Sequence, residues 1–239
     1  MPPAGPRVVN PAREASLLWL GLFAALAIFK TISGFIPYGG SITGALAVGL
    51  FLWLPTEINR RVGRDEDDGL TTAHLGSDVL FALVVMAIVF PPFVFLFQGF
   101  ARWSAELLPP WITQYLADTG RRSFHWRVPP DLLNLVAGNI AVALSEEFFY
   151  RGYMLRRFSE RWPPRIQLFG APFGKAMLLQ TTLFALGHLL TWAPYRLATF
   201  FPGLLFGWMA ARSKRVVAPA IVHAASNILI RTLEVSAGF

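Results

Sequence analysis

Three short groups of polar residues interrupt long apolar stretches, and each group has the spacing of one helix face. Glu146 and Glu147 are adjacent and are followed by Arg151; Phe184 precedes His188 by four residues; His223 precedes Asn227 by four. An ionisable side chain in a hydrocarbon layer costs on the order of 2.5–3.5 kcal/mol, so each one needs a reason to be there. Adjacent helical residues point about 100° apart, so Glu146 and Glu147 cannot face the same partner. Glu147 and Arg151, four apart, can pair on one face, which leaves Glu146 directed elsewhere. His223 and Asn227 share a face with two alanines and a serine between them. Taken singly, each group also fits a structural role: a carboxylate pair reaching headgroup water, a histidine bonded to a carbonyl, an amide gluing two helices.

Brought together, Glu146, His188, His223 and Asn227 supply a base, two imidazoles and an amide donor from three helices. That set suits peptide hydrolysis, in which a base deprotonates water and donors stabilise the oxyanion of the tetrahedral intermediate. The same types suit zinc, with Glu146, His188 and His223 as ligands. No HExxH sequence is present, which removes the helix-borne zincin arrangement. The chain has no cysteine, which excludes disulfides, thiolate metal sites and a cysteine nucleophile.

The elements that must carry these groups are membrane helices. Of 239 residues 54% are hydrophobic and only 15% charged, where a soluble domain has about 25% charged. The apolar residues fall into seven blocks of near-spanning length: about Ser16–Phe29, extending to Ile36; Ser41–Leu54, ended by Pro55; Asp78–Phe97, kinked at Pro91 and Pro92; Leu132–Tyr150; Met177–Trp192; Leu197–Ala211; and Val216–Leu233. The expected fold is an all-α polytopic bundle of about seven spanning helices, one membrane domain over 1–239, with catalytic residues on three of the last four. Asp131 is the expected N-cap of the fourth helix. Gly40/Gly44 and Gly203/Gly207 have GxxxG spacing, which permits close helix approach.

Between the blocks, the stretch 101–130, with Trp103, Trp111, Tyr115 and Trp126, reads as interfacial. Arg64 and the acidic run Asp65–Asp68 read as a solvated loop, and 156–175 as a long loop rich in proline. His74 and His125 fall in loops and receive no role. The net charge of +7 sits in the short connections, a membrane-orientation pattern rather than a nucleic-acid one. Seven spans place Arg7, Arg60, Arg156, Lys214 and nine other cations with Arg13 on the N-terminal side, 14 of the 21 Lys and Arg. This puts the N-terminus in the cytoplasm, with the first block retained as a helix.

In order, Glu146-Glu147-x-x-x-Arg151, Phe184-x-x-x-His188 and His223-x-x-x-Asn227 resemble the EExxxR, FxxxH and HxxxN motifs of the CAAX-protease and bacteriocin-processing (Abi) family. The stretch Pro202–Arg212 and the run Ala218–His223 resemble it too, and the likeness spans 132–230, the expected catalytic core. The resemblance implies an intramembrane endopeptidase cutting near the C-terminus of a membrane-attached protein or peptide. Glu146 would activate water with help from His188, while His223 and Asn227 would hold the oxyanion. Glu147 and Arg151 would fix the helix, and Phe184 would wall the pocket. The implied mechanism uses glutamate and no metal or other cofactor, with zinc as the alternative. Partners would be the bilayer and the substrate, with no nucleic acid. The Ala, Arg, Gly and Pro content is that of a GC-rich bacterial genome, which points to a bacterial inner membrane. Two competing functions are a non-hydrolytic immunity or binding protein and a small proton-coupled transporter; the latter would call for a second polar set in spans one to three, which offer only Lys30 and Asp78 near their ends.

Overall fold

The computed structural model describes residues 10–64, 68–107, 124–191 and 194–237. The architecture is all-α with one small hairpin. Helices α1 (Pro11–Ser33), α2 (Gly39–Val62), α3 (Leu75–Leu107) and α4 (Leu132–Glu147) are followed by a π-helical segment, Phe148–Met154, and by α5 (Leu155–Arg161). The antiparallel strands β1 (Ile166–Leu168) and β2 (Ala171–Phe173) come next, then α6 (Lys175–Gly187), two 3-10 turns (His188–Thr191 and Pro194–Thr199), α7 (Phe200–Ser213) and α8 (Val217–Ala237).

Among the described residues all seven apolar blocks lie mainly on helices, but their lengths differ from expectation. Among the described residues four helical stretches are long and apolar enough to cross a membrane: Pro11–Ser33, Gly39–Val62, Leu75–Gly99 and Leu132–Arg161. Helices α6 and α7 have 13 and 14 residues, about 20 Å at 1.5 Å per residue, short of a hydrocarbon core of about 30 Å. The fourth block does not end near Tyr150. The chain stays helical through the π segment to Arg161, so Glu146 and Glu147 lie inside a 30-residue stretch rather than at a helix end. Pro55 likewise sits within α2, which runs on to a left-handed Gly63, and α3 continues through Pro91 and Pro92. The expected loop at 156–175 is instead α5, a hairpin and the start of α6. The interfacial stretch 101–130 lies largely outside the described residues. Helix α4 does begin after Asp131, whose carbonyl accepts from Leu135 N at 2.9 Å.

The chain divides into two compact units. The first holds the described residues up to Leu75 together with Leu144–Ala220. Its core is aromatic: Phe149, Tyr150, Tyr153, Phe158 and Phe184 are buried with Met154, Met177 and the α1 residues Ala15, Leu22 and Leu26. Phe51 of α2 stacks on Phe149 at 4.9 Å between ring centroids. A polar cluster ties the ends of these helices. Arg64 grips Glu14 through both guanidinium nitrogens, at 2.7 and 3.1 Å, and Tyr153 Oη donates to the same carboxylate at 2.6 Å. The bond to Glu14 holds the Arg64 guanidinium above its ordinary pKa. Asn59 Nδ2 donates to Asp68 at 2.7 Å, and Asp68 is buried. Arg64 and Asp68 are therefore structural, and the solvated-loop reading is corrected at both; Asp65, Glu66 and Asp67 lie outside the described residues.

The second unit comprises Gly76–Ala143 and the chain from Ile221 onward. Its buried residues include Asp78, Ala82, Val85, Val222, His223 and Leu233. Segment 124–127 is fastened to the end of α8: Arg127 N donates to Ser236 Oγ at 2.9 Å and His125 N to Ser236 O at 3.1 Å. Large apolar side chains on the spanning helices, among them Leu20, Ile28, Ile88, Phe95 and Leu133, are exposed, as a lipid-facing surface requires.

The π segment carries one steric demand. A Cβ on Gly152 would fall inside contact distance of the Asp68 carbonyl oxygen, a backbone atom that cannot swing away. Gly152→Ala is therefore expected to lower stability by about 1–3 kcal/mol, read as a drop in thermal unfolding temperature of the purified protein. An unchanged transition would show that the Asp68 turn is free to shift.

Candidate functional site

The first unit brings together four of the sequence-predicted residues around Arg151. Arg151 Nη1 donates to Glu147 Oε1 at 2.9 Å, and both side chains are fully buried. Arg151 Nη2 reaches across to the Gly203 carbonyl at 3.0 Å. The guanidinium carbon lies 4.3 Å from the Phe184 ring centroid and 5.5 Å from that of Phe206. One cation thus joins the end of α4 to α6 and α7, by an ion pair, a carbonyl bond and two cation–π contacts, the latter worth about 0.5–2 kcal/mol each. The approach requires glycine on α7: a Cβ at Gly203 would stand 3.0 Å from Phe184 and 3.3 Å from Arg151, and one at Gly207 3.3 Å from Met177. The Gly203/Gly207 pair therefore serves close packing of α6 on α7. At Gly40 and Gly44 an added Cβ would meet nothing among the described residues, so the same spacing serves no such contact with them.

Phe184 passes the arrangement on to His188. Their rings meet edge to face at 4.8 Å, and His188 Nδ1 lies 3.0 Å from the Phe184 carbonyl oxygen. A carbonyl can only accept, so Nδ1 carries a proton, and in a neutral ring Nε2 then presents the lone pair. His188 caps α6 and opens the 3-10 turn; it is not within a straight helix as the block pattern implied. Glu146 is half-buried while Glu147 is fully buried. The two acids thus diverge: Arg151 and Glu147 form a sealed pair, and Glu146, on the adjoining face, is half-buried with its Oε2 out of solvent.

His223 and Asn227 lie in the second unit, one turn apart on α8, with His223 buried and Asn227 half-buried. Ser226, between them, turns its hydroxyl back to the Val222 carbonyl at 2.7 Å. Among the described residues no group of three or more His, Asp or Glu side chains is placed to hold a metal ion.

Several residues around the site went unnoticed in the sequence. Tyr150 is buried four residues after Glu146, edge-on to Phe184 at 5.1 Å, and its hydroxyl accepts from Trp19 Nε1 at 3.2 Å. Gly187 admits it: a Cβ there would lie 2.6 Å from Phe23 and 2.9 Å from the Tyr150 hydroxyl. Gln180 and Thr181, about one turn before Phe184, are fully buried. The available signals were the i,i+4 spacing of Tyr150 from Glu146 and a glycine directly before His188. In the second unit Asp78, set aside as a residue near a span end, is fully buried.

Breaking the sealed pair leaves a buried charge, at about 3–5 kcal/mol. Arg151→Ala is expected to lose that much stability, whereas Glu147→Gln combined with Arg151→Met should recover most of it, both measured by thermal unfolding in detergent. Equal stability of Arg151→Ala and wild type would refute the scaffold role.

No curated protein and no solved structure matches the chain. Residues 128–229 match the model of the Rce1-like type II CAAX prenyl endopeptidase family. The family is one of proteases, and the matched segment contains Glu146, Glu147, Arg151, Phe184, His188, His223 and Asn227. With four helices able to cross a bilayer, the chain is an integral membrane protein, and the segment that carries all three motifs is similar to this protease family.

Proposed function

We propose that the protein is an intramembrane endopeptidase that hydrolyses a peptide bond near the C-terminus of a membrane-attached protein or peptide, with Glu146 as general base. The observation that carries this reading is the division of labour between adjacent acids: Glu147 is locked to Arg151 in a dry pair, while Glu146 stays partly open beside it. A general base must reach water, and a sealed ion pair cannot. In the proposed reaction Glu146 takes a proton from water as the water oxygen attacks the scissile carbonyl carbon. His188, its Nδ1 proton engaged with the Phe184 carbonyl, offers Nε2 to orient that water. His223 and Asn227 donate to the oxyanion of the tetrahedral intermediate. Collapse breaks the C–N bond, and the proton held by Glu146 passes to the leaving amine.

The mechanism needs no metal, and two Glu/His donors in the first unit are fully accounted for as base and water-orienting group. Hydrolysis is expected to persist in a strong chelator. Loss of activity that added zinc restores would instead favour Glu146, His188 and His223 as ligands. Within this reading the substrate is held in the bilayer, the membrane is a bacterial inner one, and the N-terminus is cytoplasmic.

The decisive comparison is of the C-terminal peptides of all membrane proteins in host cells carrying wild type or Glu146→Gln. A defined set should keep extra C-terminal residues in the variant, and activity on a peptide from that set should fall by about 10²–10⁴-fold. Matching profiles at equal protein levels would reject C-terminal processing and favour an immunity or transport role.

A further inference from the structure

One face of α1 is turned toward the segment that carries His188. Trp19, Phe23 and Lys30 are successively four and seven residues apart, which places them within about 40° of one another on a helix of about 100° per residue. Trp19 stacks on Phe23 at 4.4 Å between ring centroids and donates to the Tyr150 hydroxyl at 3.2 Å. That hydroxyl and the Phe23 ring both close on Gly187: a Cβ there would lie 2.9 Å from the one and 2.6 Å from the other. Farther along the same face, Lys30 Nζ donates to the Leu190 carbonyl. His188 lies between these two holds, directly after Gly187 and shortly before Leu190.

The Leu190 carbonyl needs this donor. In a continuing α-helix it would accept from the amide four residues on. That residue is Pro194, which has no N–H. The chain instead leaves α6 at Gly187 and passes through the 3-10 turn His188–Thr191. In an apolar medium a carbonyl that has lost its helical donor must find another. A charged ammonium makes a stronger bond to it than a neutral donor would. Lys30 is also the one basic residue of α1 beyond its first turn, on a helix able to cross a membrane. A lysine near a span end ordinarily extends toward the headgroups; this one is half-buried and bonds to the backbone of another segment.

We propose that Lys30 is a positioning residue for the reaction, holding the turn after α6 so that His188 keeps its imidazole against Phe184 and its Nε2 toward the attacking water. The inference rests on the hydrolytic role proposed for His188. Lys30 touches no reacting atom; it acts through Leu190, while Trp19 and Phe23 fix the other flank at Gly187. All three lie outside the matched segment 128–229, so the three motifs by themselves do not include this hold.

Two readouts on the full-length protein in detergent test it. In protein isotope-labelled at histidine Cε1, the His188 resonance, identified by its absence in His188→Gln, should move in Lys30→Met while the signals of the other three histidines stay in place. Lys30→Arg, which keeps a cationic donor, should bring it back. On a peptide from the set that Glu146→Gln leaves unprocessed, Lys30→Met should lower kcat by about 10- to 100-fold with KM unchanged, the scale of a misplacement of about 1 Å, and Lys30→Arg should recover most of that loss. A His188 resonance unmoved by Lys30→Met would overturn the proposal. So would equal displacement in Lys30→Arg and Lys30→Met, which would assign the effect to packing at position 30. Failure of both Lys30→Met and Lys30→Gln to fold would make Lys30 a support of the whole unit and overturn it as well. None of these results bears on Glu146 as a base. A displaced His188 resonance in a protein whose wild type cleaves no peptide would instead keep the hold on His188 and reject the hydrolytic reading.

Discussion

The buried pair of Glu147 and Arg151 is the contact from which the rest of the first unit is organised. A carboxylate and a guanidinium removed from water are tolerated only when each meets its partner with good geometry and the remaining donors are used. Here Nη2 and the flat faces of the guanidinium also join helices, while Nε is buried with no partner among the described residues. Arg151 spends one amine on Glu147, another on the Gly203 carbonyl, and its flat faces on Phe184 and Phe206. The position of Phe184 then sets the carbonyl that fixes the His188 ring. A single charge pair thus determines where α4, α6 and α7 meet, and with them the orientation of Glu146 and His188.

The helices that precede the family segment are part of this framework. Trp19 bonds the hydroxyl of Tyr150, Glu14 receives Tyr153, and Lys30 Nζ donates to the Leu190 carbonyl in the turn opened by His188. These contacts run along α1 from its first turn to its last, each ending on the π segment or on the turn that carries His188. The family match begins at residue 128, so the match covers the residues proposed for chemistry and leaves out much of what holds them still. A fragment limited to the matched segment would expose the face on which Trp19, Phe23 and Leu26 pack.

Much of the site was legible because membrane helices make polar residues conspicuous. Glu147 and Arg151 could be paired from spacing alone, and the divergence of Glu146 followed from helical geometry. The all-α fold followed from seven apolar blocks. What could not be read were features decided by tertiary contact. Hydropathy fades after Tyr150 because Arg156, Arg157 and Arg161 follow, yet the helix continues, since backbone hydrogen bonding does not depend on an apolar sequence. Pro55 fails to stop α2 for a related reason: packing outweighs one missing donor. Arg64 and Asp68 look like loop charges because their partners Glu14 and Asn59 are chosen by the fold. The two GxxxG patterns are equal in sequence and opposite in use, because only Gly203 and Gly207 face another helix closely.

The irregular backbone of the first unit follows from the same physics. In an apolar medium every carbonyl outside a regular helix needs a donor. A π segment, two 3-10 turns and a hairpin together interrupt the chain between Phe148 and Thr199, and the first turn and the hairpin are met by side chains from elsewhere. Lys30 supplies Leu190, Trp208 supplies Leu168, and Arg212 supplies Phe169. The hydroxyl of Thr199 serves Arg196 within its own turn at 2.7 Å. Cations in such places do more than orient the protein across the bilayer; they satisfy backbone that a reactive site needs to be non-helical. A straight helix would aim its polar side chains outward along one stripe, whereas His188 sits where α6 ends and its imidazole folds back onto the preceding turn. The departure from helix is what brings this ring against Phe184, and the donors on neighbouring segments are what make that departure tolerable in lipid.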